Sequence, residues 1–342
     1  MSIVLVTGGA GFIGSHLVDH LLEGGAAVRV LDNLSTGSLR NLQAAADRQG
    51  LPNGVGPAGS RRLELIIGDI RDEKLVRKAL RHVDRVYHLA ALPASSAPAS
   101  PGELHAVNVL GTLHVLQAAT AEGVRRVVAG SCASVYGAPA ALPVAEDHAL
   151  RPLSIFAASK LAAEVYCRTY FAAHALETVC LRYFTVYGPR QSQLNPTTVV
   201  PGLVESLRQR RRPLIAGDGH DAHDFIYVDD AVEATLAAGH APRAAGLAVN
   251  VGSGQTATPL EVLEMLNRVF RTDAVPRLAR PRAGEPPPMR ARITLAAEIL
   301  GTAPRIPLAT GLGRVVQFFA ETDRQDDRAF VEVGSHEERA DV

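Results

Sequence analysis

Apolar residues return along this chain in two rhythms. Short, largely apolar runs at Ile3–Val6, Val28–Asp32, Leu63–Ile67, Arg85–Leu89 and Arg126–Gly130 read as strands buried on both faces. Between them, Ser15–Leu22, Glu73–Leu80 and Glu103–Glu122 repeat apolar positions every three to four residues, as a helix with one face on a core does. Strand and helix alternating in this way predict an α/β fold, a doubly wound parallel sheet with ligands at the carboxyl ends of its strands. Further on, the same rhythms predict helices at Ala158–Ala173, Gly202–Arg210, Val228–Ala238, Pro259–Phe270 and Gly311–Thr322, and a strand at Leu247–Gly252. Two stretches break the pattern. Ser35 to Arg62 is rich in Gly, Pro, Asn and Ser and reads as a surface excursion without an element, and residues 323–342 are charged and patternless, a tail with little expected order.

Composition and charge narrow the setting. A chain of 342 residues, 47% apolar and 20% charged, belongs among globular proteins and is long enough for one large or two unequal domains. Its formal net charge of zero gives no bulk attraction to nucleic acid or to an anionic membrane, so neither is expected as a partner. Cys132, Cys167 and Cys180 are scattered, odd in number and without metal-ligand spacing, which predicts a reducing, cytoplasmic setting and no metal site. No apolar run approaches the length of a membrane span or of a signal peptide.

The first strand runs directly into Thr7-Gly8-Gly9-Ala10-Gly11-Phe12-Ile13-Gly14 and then into a helix. Glycines at 8, 11 and 14 permit a tight turn, close approach of backbone to a pyrophosphate, and close packing of helix on strand. The next strand ends in Asp32, eighteen residues beyond Gly14, where a carboxylate would accept hydrogen bonds from ribose hydroxyls and repel a 2′-phosphate. The combination predicts a Rossmann-type dinucleotide site that prefers NAD to NADP. The expected organisation is an NAD-binding domain over residues 1–180, rejoined by about 215–250, with a smaller lobe at 181–322 for the substrate.

TGGAGFIG, Asp32-Asn33, Gly68-Asp69-Ile70, His88-Leu89-Ala90-Ala91, NVLGT at 108–112, SVYG at 134–137, AASK at 157–160 and RYFTVYGPR at 182–190 occur in this order. Together they resemble the extended short-chain dehydrogenase/reductases, in the NAD-dependent sugar epimerase/dehydratase group, over about residues 1–320. The resemblance implies NAD contacts from Gly8, Gly11, Phe12, Ile13, Gly14, Asp32, Asn33, Ser35, Thr36, Gly37, Asp69, Ile70, Leu89, Ala90, Ala91, Asn108, Lys160 and Tyr183. It also implies a UDP-sugar substrate, and a homodimer through the helices at Glu103–Glu122 and Ala158–Ala173; burial inside the monomer explains the same apolar residues.

In that family a Ser or Thr, a Tyr and a Lys act as one unit, removing a proton from a sugar hydroxyl while hydride leaves the same carbon. Here Lys160 is present, with Ser154 as a plausible cap of its helix, but Phe156 stands in the Tyr position and Cys132 in the Ser/Thr position, with Ser131 and Ser134 as neighbouring hydroxyls. Phe156 accepts no proton. Three readings stay open: an engineered, substrate-trapping change, a native enzyme with a rerouted base such as a Cys132 thiolate, or a native non-catalytic binder of NAD and a sugar nucleotide.

Dehydratases of the group resemble one another in an acidic pair at the places held here by Ala133 and Ser134, and decarboxylases in a Glu at the latter, which leaves 4-epimerisation through a 4-keto sugar ahead of net dehydrogenation or dehydration. For the substrate, the resemblance points to Ser131, Cys132, Ala133, Ser134, Phe156 and Arg190, to Val199 and Val200 at the uracil, and to Arg282 at the diphosphate. His223 stands where the family usually has a phosphate-contacting Arg. Thr185, where hexose epimerases commonly have Asn, resembles the UDP-glucuronate 4-epimerases, in which short hydroxyl side chains meet the sugar carboxylate.

Overall fold

The computed structural model describes residues 3–48, 62–93, 100–191, 198–280 and 287–337, with side chains as far as residue 322. In its first part β1 (Ile3–Thr7), α1 (Phe12–Glu23), β2 (Ala27–Asp32), α2 (Arg40–Arg48), β3 (Leu63–Ile67), α3 (Glu73–Ala79) and β4 (Val83–His88) alternate as expected. Next come α4 (Pro101–His105), a π-helical segment at Ala106–Gly111, α5 (Thr112–Ala121), β5 (Arg126–Cys132), α6 (Ile155–His174) and β6 (Glu177–Tyr183). The chain then runs through β7 (Thr185–Tyr187), α7 (Val199–Arg208), β8 (Leu214–Ala216), β9 (His223–Tyr227), α8 (Val228–Ala238) and β10 (Ala248–Val251). It finishes with β11 (Thr256–Ala257), α9 (Pro259–Phe270), β12 (Arg277–Ala279), α10 (Thr294–Leu300) and α11 (Leu308–Glu337).

Seven parallel strands form the main sheet in the order β10-β6-β5-β4-β1-β2-β3. The order reverses between β1 and β4, so their carboxyl ends open a crevice that no crossover helix covers. Successive residues of β1 feed opposite cores: Val4 and Val6 join the cluster that holds Leu17 and Val232, while Leu5 joins the one that holds Val86 and Val115. That alternation is why the strands read as continuously apolar. Two small sheets, β11-β9-β7 and β12-β8, carry the later residues, and β10 returns to the main sheet beside β6.

Three sequence expectations are corrected. The excursion between Ser35 and Arg62 contains α2, whose Leu42, Ala45 and Ala46 are buried at helical spacing and whose Arg48 pairs with Asp19 of α1 at 2.6 Å. Its short apolar face, Leu and two Ala, is too weak to stand out beside a Gly- and Pro-rich run. The last helix does not end at Thr322 but continues to Glu337 across the segment expected to be a tail. The long helix expected over Glu103–Glu122 is interrupted by the π segment, which turns Asn108 inward so that its side chain bonds both Leu92 N and O and the Ser159 hydroxyl of α6, at 2.8, 3.1 and 3.0 Å.

Candidate active site

A cleft of about 310 Å³ lies at the carboxyl ends of β1, β2, β4 and β5. The loop after β1 forms one wall. Gly8 has φ +72°, and a Cβ there would come within 2.7 Å of Ala90 N; at Gly14 it would meet Gly8 O at 2.1 Å. Only a loop free of side chains closes in this way, and it leaves the N-terminus of α1 facing the cleft. The buried Asp32 carboxylate accepts the N–H groups of Ala10 and Leu34 at 2.9 and 2.8 Å, which fixes it at the end of β2; burial raises its pKa. Asp69 is held by Asn33 and by Arg71, whose guanidinium lowers its pKa to about 2. The wall opposite is set by His88, neutral at physiological pH because burial lowers its pKa to about 3. His88 lies 2.7 Å from Thr7 Oγ1 and 2.9 Å from Thr112 Oγ1, and the Thr7 hydroxyl in turn accepts from Ala90 N. A glycine cradle with an acid at its far end fits a dinucleotide that carries no 2′-phosphate.

The other end of the cleft is built by α6. The Ser154 hydroxyl caps the helix by accepting from Ala157 N at 3.1 Å, as expected from sequence, and a four-residue spacing then stacks Phe156, Lys160 and Glu164 along one face. Phe156 and Lys160 line the cleft together with Ser131 and Tyr183. Burial lowers the pKa of the Lys160 amine.

Cys132 is no thiolate base in this setting: its sulfur lies 2.7 Å from Ser134 Oγ, and burial raises the thiol pKa. Near neutral pH, iodoacetamide should therefore alkylate Cys132 more slowly than a free cysteine peptide. Peptide mapping by mass spectrometry reads this directly, and alkylation faster than the peptide would restore the thiolate.

The nearby phenols are equally committed. Tyr183 shares a 2.7 Å hydrogen bond with Thr235, and burial raises its pKa. Tyr136 donates to Asn250 at 2.6 Å and accepts from Arg182 at 2.8 Å, with burial pushing it up to about 12. Ser131 instead donates to Glu164, whose carboxylate is held by Arg182 of β6 through Nε at 3.1 Å and Nη2 at 2.8 Å.

Residues 4–252 match the NAD dependent epimerase/dehydratase family. This chain belongs to that family. Over 92% of its length it is 37% identical to a UDP-glucose 4-epimerase of Mycolicibacterium smegmatis, covering 97% of that protein. Among solved structures, the UDP-glucose 4-epimerase of Thermotoga maritima with UDP-glucose superposes with a TM-score of 0.84 at 32% identity, over 94% of this chain and 99% of that one. A UDP-glucuronic acid 4-epimerase from Bacillus cereus, in complex with UDP-glucuronic acid and NAD, gives 0.84 at 30% identity over the same shares. The cofactor of this epimerase/dehydratase is NAD.

Most residues expected at NAD do line the cleft of this NAD-dependent epimerase/dehydratase. Gly8, Gly11, Phe12, Ile13, Gly14, Asp32, Asn33, Ser35, Thr36, Asp69, Ile70, Leu89, Ala90, Ala91, Lys160 and Tyr183 are all in its wall. Gly37 and Asn108 are not: Gly37 packs on Ala10, and Asn108 braces Leu92 against α6. Cys132, Ala133 and Ser134 follow Ser131 just outside that wall. Thr185 is exposed on β7, and Val199 and Val200 open α7 with Val200 buried. His223, at the start of β9, has its pKa lowered by burial and is neutral at physiological pH. Arg190 lies 2.7 Å from Asp19 of α1 and is outside the cleft wall. Arg282 lies outside the described residues. Sequence reading missed Glu164 and Arg182, although Glu164 follows Lys160 at the same spacing that links Lys160 to Phe156.

Proposed function

We propose that this chain is an NAD-dependent UDP-sugar 4-epimerase that prefers UDP-glucuronate to UDP-glucose, with turnover reduced by Phe156. The observation that carries the reaction class is the turn after β5: Ala133 is buried and Ser134 is hydrogen-bonded to Cys132, so no carboxylate stands where elimination of water would need an acid and a base. When bound, NAD supplies a hydride acceptor that returns the hydride to the sugar. The chain's own share is to orient the sugar between Ser131 and Lys160, to exclude water with the Phe156 ring, and to move one proton. Asp32 would hold the adenosine ribose, and Gly8, Gly11 and Gly14 the pyrophosphate.

The sugar preference rests on Thr185, an exposed hydroxyl beside Phe184 and Val186, and on Ser134 as a second short donor for the carboxylate. A second reading, UDP-glucose, is favoured by the Mycolicibacterium smegmatis relative. The homodimer belongs to the same proposal, supported by the exposed Val165, Tyr166 and Phe171 on α6.

Relative kcat/KM on UDP-glucuronate and UDP-glucose tests the reading, with the 4-epimers separated chromatographically. The expected result is a clear preference for UDP-glucuronate, and a clear preference for UDP-glucose would overturn that part. Conversion of neither, in the native chain and in Phe156→Tyr alike, would overturn the epimerase itself.

A further inference from the structure

We propose that Ser131 and Glu164 together form the proton acceptor of this site, in place of the phenol that Phe156 lacks; the inference rests on the epimerase reading. Each neighbouring phenol, thiol and imidazole is hydrogen-bonded to a partner that is not a carboxylate. Tyr183 is bonded to Thr235, Tyr136 lies between Asn250 and Arg182, Cys132 is held as a thiol against Ser134, and His88 is fully buried between two threonines. Ser131 combines a place in the cleft wall, which it shares with Phe156 and Lys160, with a bond to a carboxylate. Glu164 is buried, one helical turn beyond Lys160, and Arg182 fixes both its oxygens.

The step balances without a further reactant. As hydride leaves C4 for the nicotinamide, the C4 hydroxyl gives its proton to Ser131 Oγ, and Ser131 passes its own proton to Glu164 Oε1. The C4–O bond becomes a carbonyl and Glu164 a carboxylic acid, and hydride return on the opposite face reverses each transfer. A carboxylate suffices as the acceptor, because the protonated carbonyl that hydride loss would otherwise leave is a far stronger acid than a carboxylic acid. A positioned general base contributes about 10²- to 10⁴-fold in rate. The relay supplies part of that range.

The decisive comparison is Ser131→Ala in two backgrounds, since it leaves the Glu164–Arg182 pair intact. With UDP-glucuronate and UDP-glucose as probes, Ser131→Ala is expected to lower kcat about 10²-fold in the native chain with little change in KM, and less than about tenfold in Phe156→Tyr, which has its own base. Glu164→Gln should reproduce the loss where it folds. Difference infrared spectra of the native protein with bound UDP-sugar should gain a protonated-carboxyl band that Glu164→Gln lacks. An unchanged kcat in Ser131→Ala, an equal loss in both backgrounds, or a native chain that is inactive while Phe156→Tyr turns over would each overturn the relay and leave the epimerase standing. Inactivity of both backgrounds overturns the epimerase reading itself, and the relay with it.

Discussion

Phe156→Tyr is expected to raise kcat on UDP-sugars by about 10²-fold, the part of a general base's usual contribution that a relay through Ser131 does not supply. The substitution adds one oxygen to a ring that already lines the cleft, one helical turn from Lys160, so the packing of α6 has little reason to change. A free phenol has a pKa of about 10 and is a poor base at neutral pH, and a bound cationic nicotinamide beside an ammonium would lower it. The gain should appear in kcat, because the new oxygen acts on the departing proton more than on ground-state binding. Steady-state rates of the two proteins decide it. An equal kcat would mean that the missing oxygen does not limit this enzyme and that Phe156 belongs to a fully rerouted site.

The cofactor half of the site was legible because its chemistry is written in backbone. Gly8 and Gly14 sit where a Cβ would strike Ala90 or Gly8, and Asp32 closes the next strand, so sequence spacing alone predicts the geometry. The reacting half was less legible for a physical reason. Motif position points to Cys132, and in the structure its neighbour Ser131 lines the cleft while Cys132 is hydrogen-bonded to Ser134. Which of two adjacent residues faces a cavity depends on how β5 ends, and the apolar pattern carries no record of that. The ion pair between Arg190 and Asp19 of α1 was hidden for a related reason, since the two residues are distant in sequence. The π turn around Asn108 was hidden as well, since the apolar spacing of AVNVLG reads as helix and does not show that the Asn108 amide bonds to Leu92 and Ser159.

Arg182→Leu should be the most damaging of these substitutions to stability, at about 3–5 kcal/mol, because it strands a buried carboxylate. The guanidinium holds Glu164 through Nε and Nη2, gives Nη1 to Tyr136 OH at 2.8 Å and to the Glu146 carbonyl at 3.0 Å, and lies 4.9 Å over the Tyr136 ring. Glu164 and Tyr136 are buried, so truncation leaves a buried acceptor unmatched as well as a charge. The loss should be read as a lower urea midpoint with an unchanged slope. Glu164→Leu added to Arg182→Leu should recover part of it, since deleting both members of a buried pair costs far less than deleting one. A single-variant loss below about 1 kcal/mol would place the pair among weak contacts. The expected size follows from position. Arg182 precedes Tyr183 on β6 and Glu164 follows Lys160 on α6, so this buried ion pair ties together the strand and the helix that carry two residues of the cleft wall.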